Sequence, residues 1–246
     1  MNILVCISKV PDTTAKISFT DNDTAFDANG VTFIMNPYDE WYALVRAVEL
    51  TEGGKGSTTV LNVGPAANDA IIRKGLAIGA DKGVRIDVEP TSTRVVAGEI
   101  AAFARDKGFD LVLTGKETID YNGSEVGAMV AELLDLPYVS YASDLQVADA
   151  TATVKRDIEG GVELLEVDLP AVVSAAKGMA EQRIPNMRGI MMAKRKPLEV
   201  VAASGAAGQV EVTKYSLPAD KGSVKLVDAD DMDELVRLLH EEAKVI

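Results

Sequence analysis

One cysteine and one histidine in 246 residues set the first limits on what this chain does. Cys6 has no second thiol to pair with, so an internal disulfide and a cysteine metal cluster are both excluded. It falls inside an apolar run, where a small buried thiol is the expected role. His240 sits in a charged stretch near the C-terminal end, DADDMDELVRLLHEEAK, far from the polar loops, and reads as a solvated helix residue. With no dense carboxylate constellation beside them, hydrolytic triads and zinc chemistry lack support; any chemistry here must be carried by a cofactor. Basic charge is also scarce, 25 Lys and Arg against 38 Asp and Glu, a net charge of −13. That balance argues against a general nucleic-acid or anionic-membrane binder, which needs clustered cations. No apolar run approaches the ~20 residues of a membrane span, and no basic segment followed by an apolar one opens the chain. The expectation is a cytoplasmic protein without membrane insertion. The phosphate motifs GxGxxG and GxxxxGK[ST] are missing too.

The chain is organised around DLVLTGKETIDYNGSEVGAMVAELLDL, residues 110–136. Leu111 to Leu113 reads as a buried parallel strand, Gly115 opens a polar loop, and an apolar periodicity of three and four starts at Val126 and continues through Met129, Val130, Leu133 and Leu134. Ser124 is the expected N-cap, with Asn122 and Gly123 supplying the turn. A helix start of this kind presents unpaired N–H groups and seats phosphates or other anions, although most such loops hold nothing. Glu117, Asp120 and Glu125 outnumber Lys116, so a phosphate here would rest on backbone amides, with Asp120 suited to a ribose hydroxyl or a loop amide.

Strands are expected at Asn2 to Ile7, Thr58 to Val63, Gly83 to Ile86, Leu111 to Leu113, Pro137 to Ala142 and Ala171 to Ala175, and a hairpin or sheet-edge excursion over residues 16–34. Helices are expected from Pro37 to about Glu52, with Asn36 as cap and Asp39 and Glu40 in the first turn, and at Asn68 to Ile78 and Thr91 to Lys107. Strands alternating with helices of roughly 10 to 17 residues mean βαβ units and a twisted parallel sheet covered on both faces. Loops after Cys6, Val63 and Leu113, plus the helix start at Asn36, would gather along one rim. Later, TATVKRDIEGGVELLEV alternates around Gly160 and Gly161, a hairpin. Residues 177–197, KGMAEQRIPNMRGIMMAKRKP, have no sustained period and suit either adaptable partner contacts or a loop covering its own core. Beyond Leu198 come an Ala- and Gly-rich stretch, a strand-like run at Val210 to Tyr215, and an acidic helix from Asp230, too little apolar surface to fold alone. The expected division is a nucleotide-binding domain over 1–197 and, over 198–246, an extended C-terminal arm and helix that pack on a partner subunit.

Six fragments taken in order resemble the beta subunit of electron transfer flavoproteins: MNPYDE from Met35, VGPA from Val63, GKETIDYNGSEVGAM from Gly115, RDIEGGVE from Arg156, DLPAVVSA from Asp168 and IMMAKRKPLEV from Ile190. The resemblance implies a Rossmann-like fold of the adenine nucleotide alpha hydrolase-like kind, paired with a larger alpha subunit that holds most of the FAD, and an AMP buried in beta. Such a heterodimer takes electrons from flavin dehydrogenases, such as acyl-CoA dehydrogenases, to a quinone oxidoreductase or another acceptor. Carried over, the AMP contacts fall on Cys6, Asn36, Pro37, Tyr38, Asp39, Val63 and the loop containing Gly115, Lys116, Asp120, Asn122, Gly123, Ser124, Glu125 and Val126. Tyr38 and Asp157 would approach the partner's flavin. Met187 takes the position of the apolar anchor for partner dehydrogenases, with Ile190, Met191, Lys194 and Lys196 in the same recognition stretch.

Two positions depart from the family pattern. Asn122 stands where a second acidic residue is usual, and Glu125 where Gln is usual, which adds a carboxylate to the loop. Electron-bifurcating members hold a second FAD in place of AMP and oxidise NADH, and tend to have a small residue after the loop's Asp; Tyr121 is large, which favours AMP. An adenine-nucleotide-binding module without redox work is the alternative of another class.

Overall fold

The computed structural model describes residues 1–208, 210–220 and 222–246. In chain order it has β1 (Asn2–Cys6), β2 (Lys9–Pro11), the two-residue strands β3 (Phe19–Thr20) and β4 (Ala25–Phe26), and β5 (Phe33–Met35). Then follow α1 (Asp39–Thr51), β6 (Ser57–Val63), α2 (Asp69–Ile78), β7 (Lys82–Asp87), α3 (Thr93–Ala104), β8 (Leu111–Gly115) and α4 (Val126–Leu134). The remainder is β9 (Tyr138–Ala148), β10 (Thr151–Ile158), β11 (Gly161–Asp168), β12 (Ala171–Ala175), α5 (Met187–Ala193), β13 (Leu198–Ala202) and α6 (Met232–Arg237). The chain divides into two compact units, Met1–Ile17 with Ala28–Thr213, and Ser18–Asp27 with Lys214–Ile246.

The larger unit is an α/β sandwich around a sheet ordered β11-β10-β9-β12-β8-β1-β6-β7-β13. From β9 through β12 to β13 the pairs are parallel; β9, β10 and β11 form an antiparallel extension. The parallel strands read as continuous apolar runs because both faces are covered. Successive side chains point to opposite faces. Ile3, Val5, Leu111, Leu113 and Val173 therefore join the core under α1 and α2, while Leu4, Cys6, Val112 and Val172 join the core under α3 and α4. Burying each such aliphatic side chain contributes ~1.5 to 3 kcal/mol. In β10 the inward residues Ala152 and Val154 are fully buried and Lys155 is exposed, the alternation of a sheet with one wet face.

Three sequence expectations shift. The hairpin turn is centred on Glu159 and Gly160, since Gly161 already pairs with Ile158; Gly160 has φ +79°, which glycine adopts without strain. Residues 187–193, expected to be irregular, form the short helix α5, capped by Asn186, whose Oδ1 accepts from the Gly189 N–H at 2.8 Å. The run from Val210 to Tyr215 forms no strand. In the smaller unit Tyr215 instead stacks on Phe19, ring centroids 5.1 Å apart, and its N–H donates to Asp23 O at 2.7 Å. Leu198–Ala202, by contrast, is the edge strand of the main sheet, in register with β7. Just after it, buried Glu99 of α3 accepts the N–H groups of Ser204, Gly205 and Ala206 at 2.7, 3.0 and 3.0 Å. Among the described residues, no helix is long and apolar enough to cross a membrane.

Candidate functional site

The sheet order reverses at β1, with β6 and β7 to one side and β8 and β12 to the other. In open parallel sheets a crevice opens outside the strand carboxyl ends at such a switch point. The segments expected at the rim end there: Cys6 closes β1, Val63 closes β6, Gly115 closes β8, and Asn36 to Asp39 lead into α1.

Asn36 is fully buried and is not the helix cap that its position suggests. Its side chain is used across the crevice: Nδ2 donates to Glu117 O and Oδ1 accepts from Ile119 N–H, both at 3.1 Å, while its own N–H donates to Ser8 O at 2.9 Å. The capping position passes to Tyr38, with φ 64° and ψ −107° and no side-chain cap bond. Non-glycine residues rarely adopt that conformation, at a cost of ~1 to 3 kcal/mol, and they do so mostly at functional sites. Tyr38 is 54% exposed.

Glu40, in the first turn of α1, is 5% exposed and accepts both the N–H of Ser8 at 2.6 Å and its hydroxyl at 2.7 Å. Burial is the main cause that pushes its carboxyl up to about 8; the Ser8 donors oppose the shift, and Asp120 and Asp39 add to it. A Cβ on Gly115 would lie 2.7 Å from Glu40 Cγ and 3.0 Å from Glu40 N, so only glycine lets the end of β8 pack on α1. Burial, followed by the charge of Glu40, pushes the Cys6 thiol far above its usual value, and Cys6 acts as a small buried hydrophobe. The exit of β6 is tied to the same rim. Asn62 Nδ2 donates to Ile7 O at 2.8 Å, and Asn68 Nδ2 donates to Asn62 Oδ1 at 2.9 Å.

The loop after β8 neutralises much of its own charge. Lys116 Nζ lies 2.9 Å from Glu117 Oε1, and Ser124 Oγ donates to Glu117 Oε2 at 3.0 Å. Asp120 Oδ1 accepts the N–H of Tyr121, and Glu125 Oε2 accepts the Thr93 hydroxyl at 2.8 Å, so the added carboxylate is engaged towards α3. Ser124 is not the N-cap: with φ +53° and its hydroxyl on Glu117, it leaves that place to Glu125, and α4 starts at Val126 without a side-chain cap bond. The first helical acceptor is Glu125 O, taken by Met129 N–H, and the preceding amides have no helical partner. Gly123 is exposed and takes no positive φ; the turn conformations fall on Asn122 and Ser124. Beneath the helix start, Ser174 Oγ accepts from Tyr138 OH at 3.0 Å and Tyr141 N–H at 3.1 Å, and buried Thr114 Oγ1 has no partner among the described residues. A cavity of about 230 Å³ opens beside the rim, lined by Pro37, Tyr38, Asp39, Tyr42, Lys116, Glu117, Ile119, Asn122 and Lys177.

Ser8, Glu40, Thr114, Tyr138 and Ser174 escape the sequence reading. For Glu40 a signal exists: it shares a helical stripe with Leu44, Ala47, Val48 and Thr51, all buried, and a carboxylate on that face needs a partner. Other predicted positions lie elsewhere. Asp157 is on β10, separated from β8 by β9 and β12 in the sheet order. Met187, Ile190 and Met191 sit on α5, exposed by 74, 43 and 65%. Lys196 is held inward: its ammonium donates to Leu76 O, Gly79 O and Ala80 O at 3.1, 3.2 and 2.6 Å, closing the end of α2. Among the described residues, no cluster of three or more His, Cys, Asp or Glu side chains is arranged to hold a metal ion.

Residues 23–206 match the family model of the electron transfer flavoprotein domain. The chain is 34% identical to the electron transfer flavoprotein subunit beta of Bacillus subtilis, over the whole of both chains. It is 36% identical to that of Syntrophomonas wolfei over 94% of this chain and 92% of the relative. The human subunit beta is 35% identical over 82% of this chain and 81% of its own length. On the matched domain and these full-length relatives, the chain belongs to the electron transfer flavoprotein family, in its beta-subunit branch.

Proposed function

We propose that this chain is the scaffold half of a heterodimeric electron carrier, with FAD held mainly by an alpha subunit and AMP seated at the switch-point rim. The observation that carries the nucleotide reading is the rim itself: the exits of β1, β6 and β8 and the start of α1 meet at one crevice, with Asn36 pinning the loop at Glu117 and Ile119. The residues fit a phosphate ester. Amides at the start of α4 lack helical acceptors, Glu117 is neutralised by Lys116, and Glu125 is engaged by Thr93, so a phosphate would rest on the backbone amides. The large Tyr121 after the loop's Asp120, where bifurcating relatives tend to have a small residue, supports a mononucleotide over a second dinucleotide.

The flavin, when bound, supplies the electron chemistry. The residues of this chain then serve to hold and to dock. Asn36 and Glu40 fix the walls of the nucleotide site, and exposed Tyr38 stands at its mouth, the position expected to approach the partner's flavin. α5 offers Met187, Ile190 and Met191 to a flavin dehydrogenase, with Lys194 beside them. Its base is anchored from behind, since Arg73 donates to Ala193 O and Lys196 O at 2.8 and 2.7 Å and Trp41 Nε1 donates to Arg183 O at 3.1 Å. Of the arm expected over 198–246, Leu198–Ala202 is β13 of this chain's own sheet and residues 204–206 are held by Glu99; the part beyond, with the C-terminal helix, is proposed to pack on the alpha subunit. The acceptor is a quinone oxidoreductase or an equivalent electron sink, and the working compartment is the cytoplasm. Co-expression with a candidate alpha subunit tests the assignment: a yellow 1:1 complex is expected, and a stable colourless homodimer would overturn it.

A further inference from the structure

Among the described residues the buried carboxyl groups are Glu40 and Glu99, and Glu40 is the one at the walls of the crevice. Its two oxygens take the two donors of Ser8, just beyond β1, and its backbone and Cγ are the surface on which Gly115, the last residue of β8, rests. Among the described residues it has no cationic partner within 4.0 Å; Lys116, the nearest candidate in the loop, is engaged by Glu117. We propose that Glu40 is a positioning residue for the bound nucleotide, fixing the exit of β1 against the exit of β8 through Ser8, and that its protonation is coupled to nucleotide occupancy. The inference rests on the nucleotide reading given above and adds a residue and a proton to it.

The sign of the coupling follows from charge. The groups that face Glu40 are the two Ser8 donors, Asp39 on its own helix, Asp120 in the loop after β8, and the Cys6 thiol on β1; the Lys116–Glu117 pair acts on Asp39. Asp39 and Asp120 already oppose its ionisation, and Cys6 stays a neutral thiol. A phosphate monoester in the crevice adds charge of the same sign, so the nucleotide binds best to the protonated carboxyl group and its affinity falls as the pH rises through the titration. One coupled proton limits the fall to about tenfold per pH unit.

The test is AMP binding to the stripped heterodimer at several pH values from 7 to 9, for the wild type, Glu40→Gln and Ser8→Ala. In the Gln variant Oε1 accepts the Ser8 N–H and Nε2 donates to its hydroxyl, so the wall is kept and the proton is gone. AMP affinity should decline with pH in the wild type and stay flat in Glu40→Gln. Ser8→Ala removes one donor that favours the carboxylate and should move the decline to higher pH. An identical pH slope in the wild type and Glu40→Gln would overturn the coupling. Failure of the wild type to bind AMP at any pH would instead overturn the nucleotide reading, and this inference with it.

Discussion

Replacing Asn36 with Ala is the sharpest structural perturbation of the site that leaves its titratable groups untouched. The side chain is fully buried and satisfies two backbone groups of the loop after β8, Glu117 C=O and Ile119 N–H. Alanine leaves both without a partner at a packed junction. An unsatisfied buried backbone group costs about 1 to 3 kcal/mol, and partial hydration of a loop at the surface recovers some of this, so a loss of about 2 to 4 kcal/mol is expected. For a chain of this size that lowers Tm by roughly 5 to 15 °C. The loop should also open locally, with faster amide exchange over residues 116–125 and reduced AMP retention, while the sheet keeps its protection. Calorimetry with exchange mass spectrometry on the purified complex reads all three. A Tm within a degree of wild type and unchanged exchange in the loop would refute the view that Asn36 holds the rim together.

Two further outcomes follow from the geometry. A Cβ on Gly123 would meet only Glu125, at 4.0 Å, so Gly123→Val should fold with normal stability and lose AMP if a ligand phosphate approaches that backbone; normal AMP content in a stable variant would remove Gly123 from the site. Burial opposes ionisation of Glu99, but its bonds to Ser204, Gly205 and Ala206 outweigh burial and hold its carboxyl below the usual value. A lowered carboxyl stabilises the fold above the unfolded-state value and ceases to as pH falls through the folded one, so proteolytic nicking near residues 203–208 should appear in acid. Glu99→Ala should show the same nicking at neutral pH, and resistance of both would contradict a latch at this point.

Much of the larger unit was legible because apolar runs bounded by Gly and Pro are physically decisive. The sequence places strands over Asn2 to Ile7, Thr58 to Val63 and Leu111 to Leu113, within two residues of the observed ends, and the helices between them; the parallel order then brings their ends together. What escaped depended on contacts between distant residues. Asn36 reads locally as a helix cap, yet its side chain reaches Glu117 and Ile119, more than 80 residues away in sequence. Ser124 likewise reads as a cap, but its hydroxyl is taken by Glu117. Lys196 is expected, by resemblance, in the recognition stretch, and nothing local signals that its ammonium closes α2, a helix 120 residues earlier in the chain. The run from Val210 to Tyr215 has strand propensity, but its last residue, Tyr215, stacks on Phe19 and donates its N–H to Asp23 O instead, contacts almost 200 residues away in sequence.

The central claim is a nucleotide seated in this chain beside a single flavin held by its partner. The most direct measurement is to co-express the two subunits, release the small molecules from the purified heterodimer by denaturation, and count FAD and AMP by chromatography. One FAD and one AMP per heterodimer is the result this account predicts; two FAD and no AMP would contradict it and assign the rim to a second flavin.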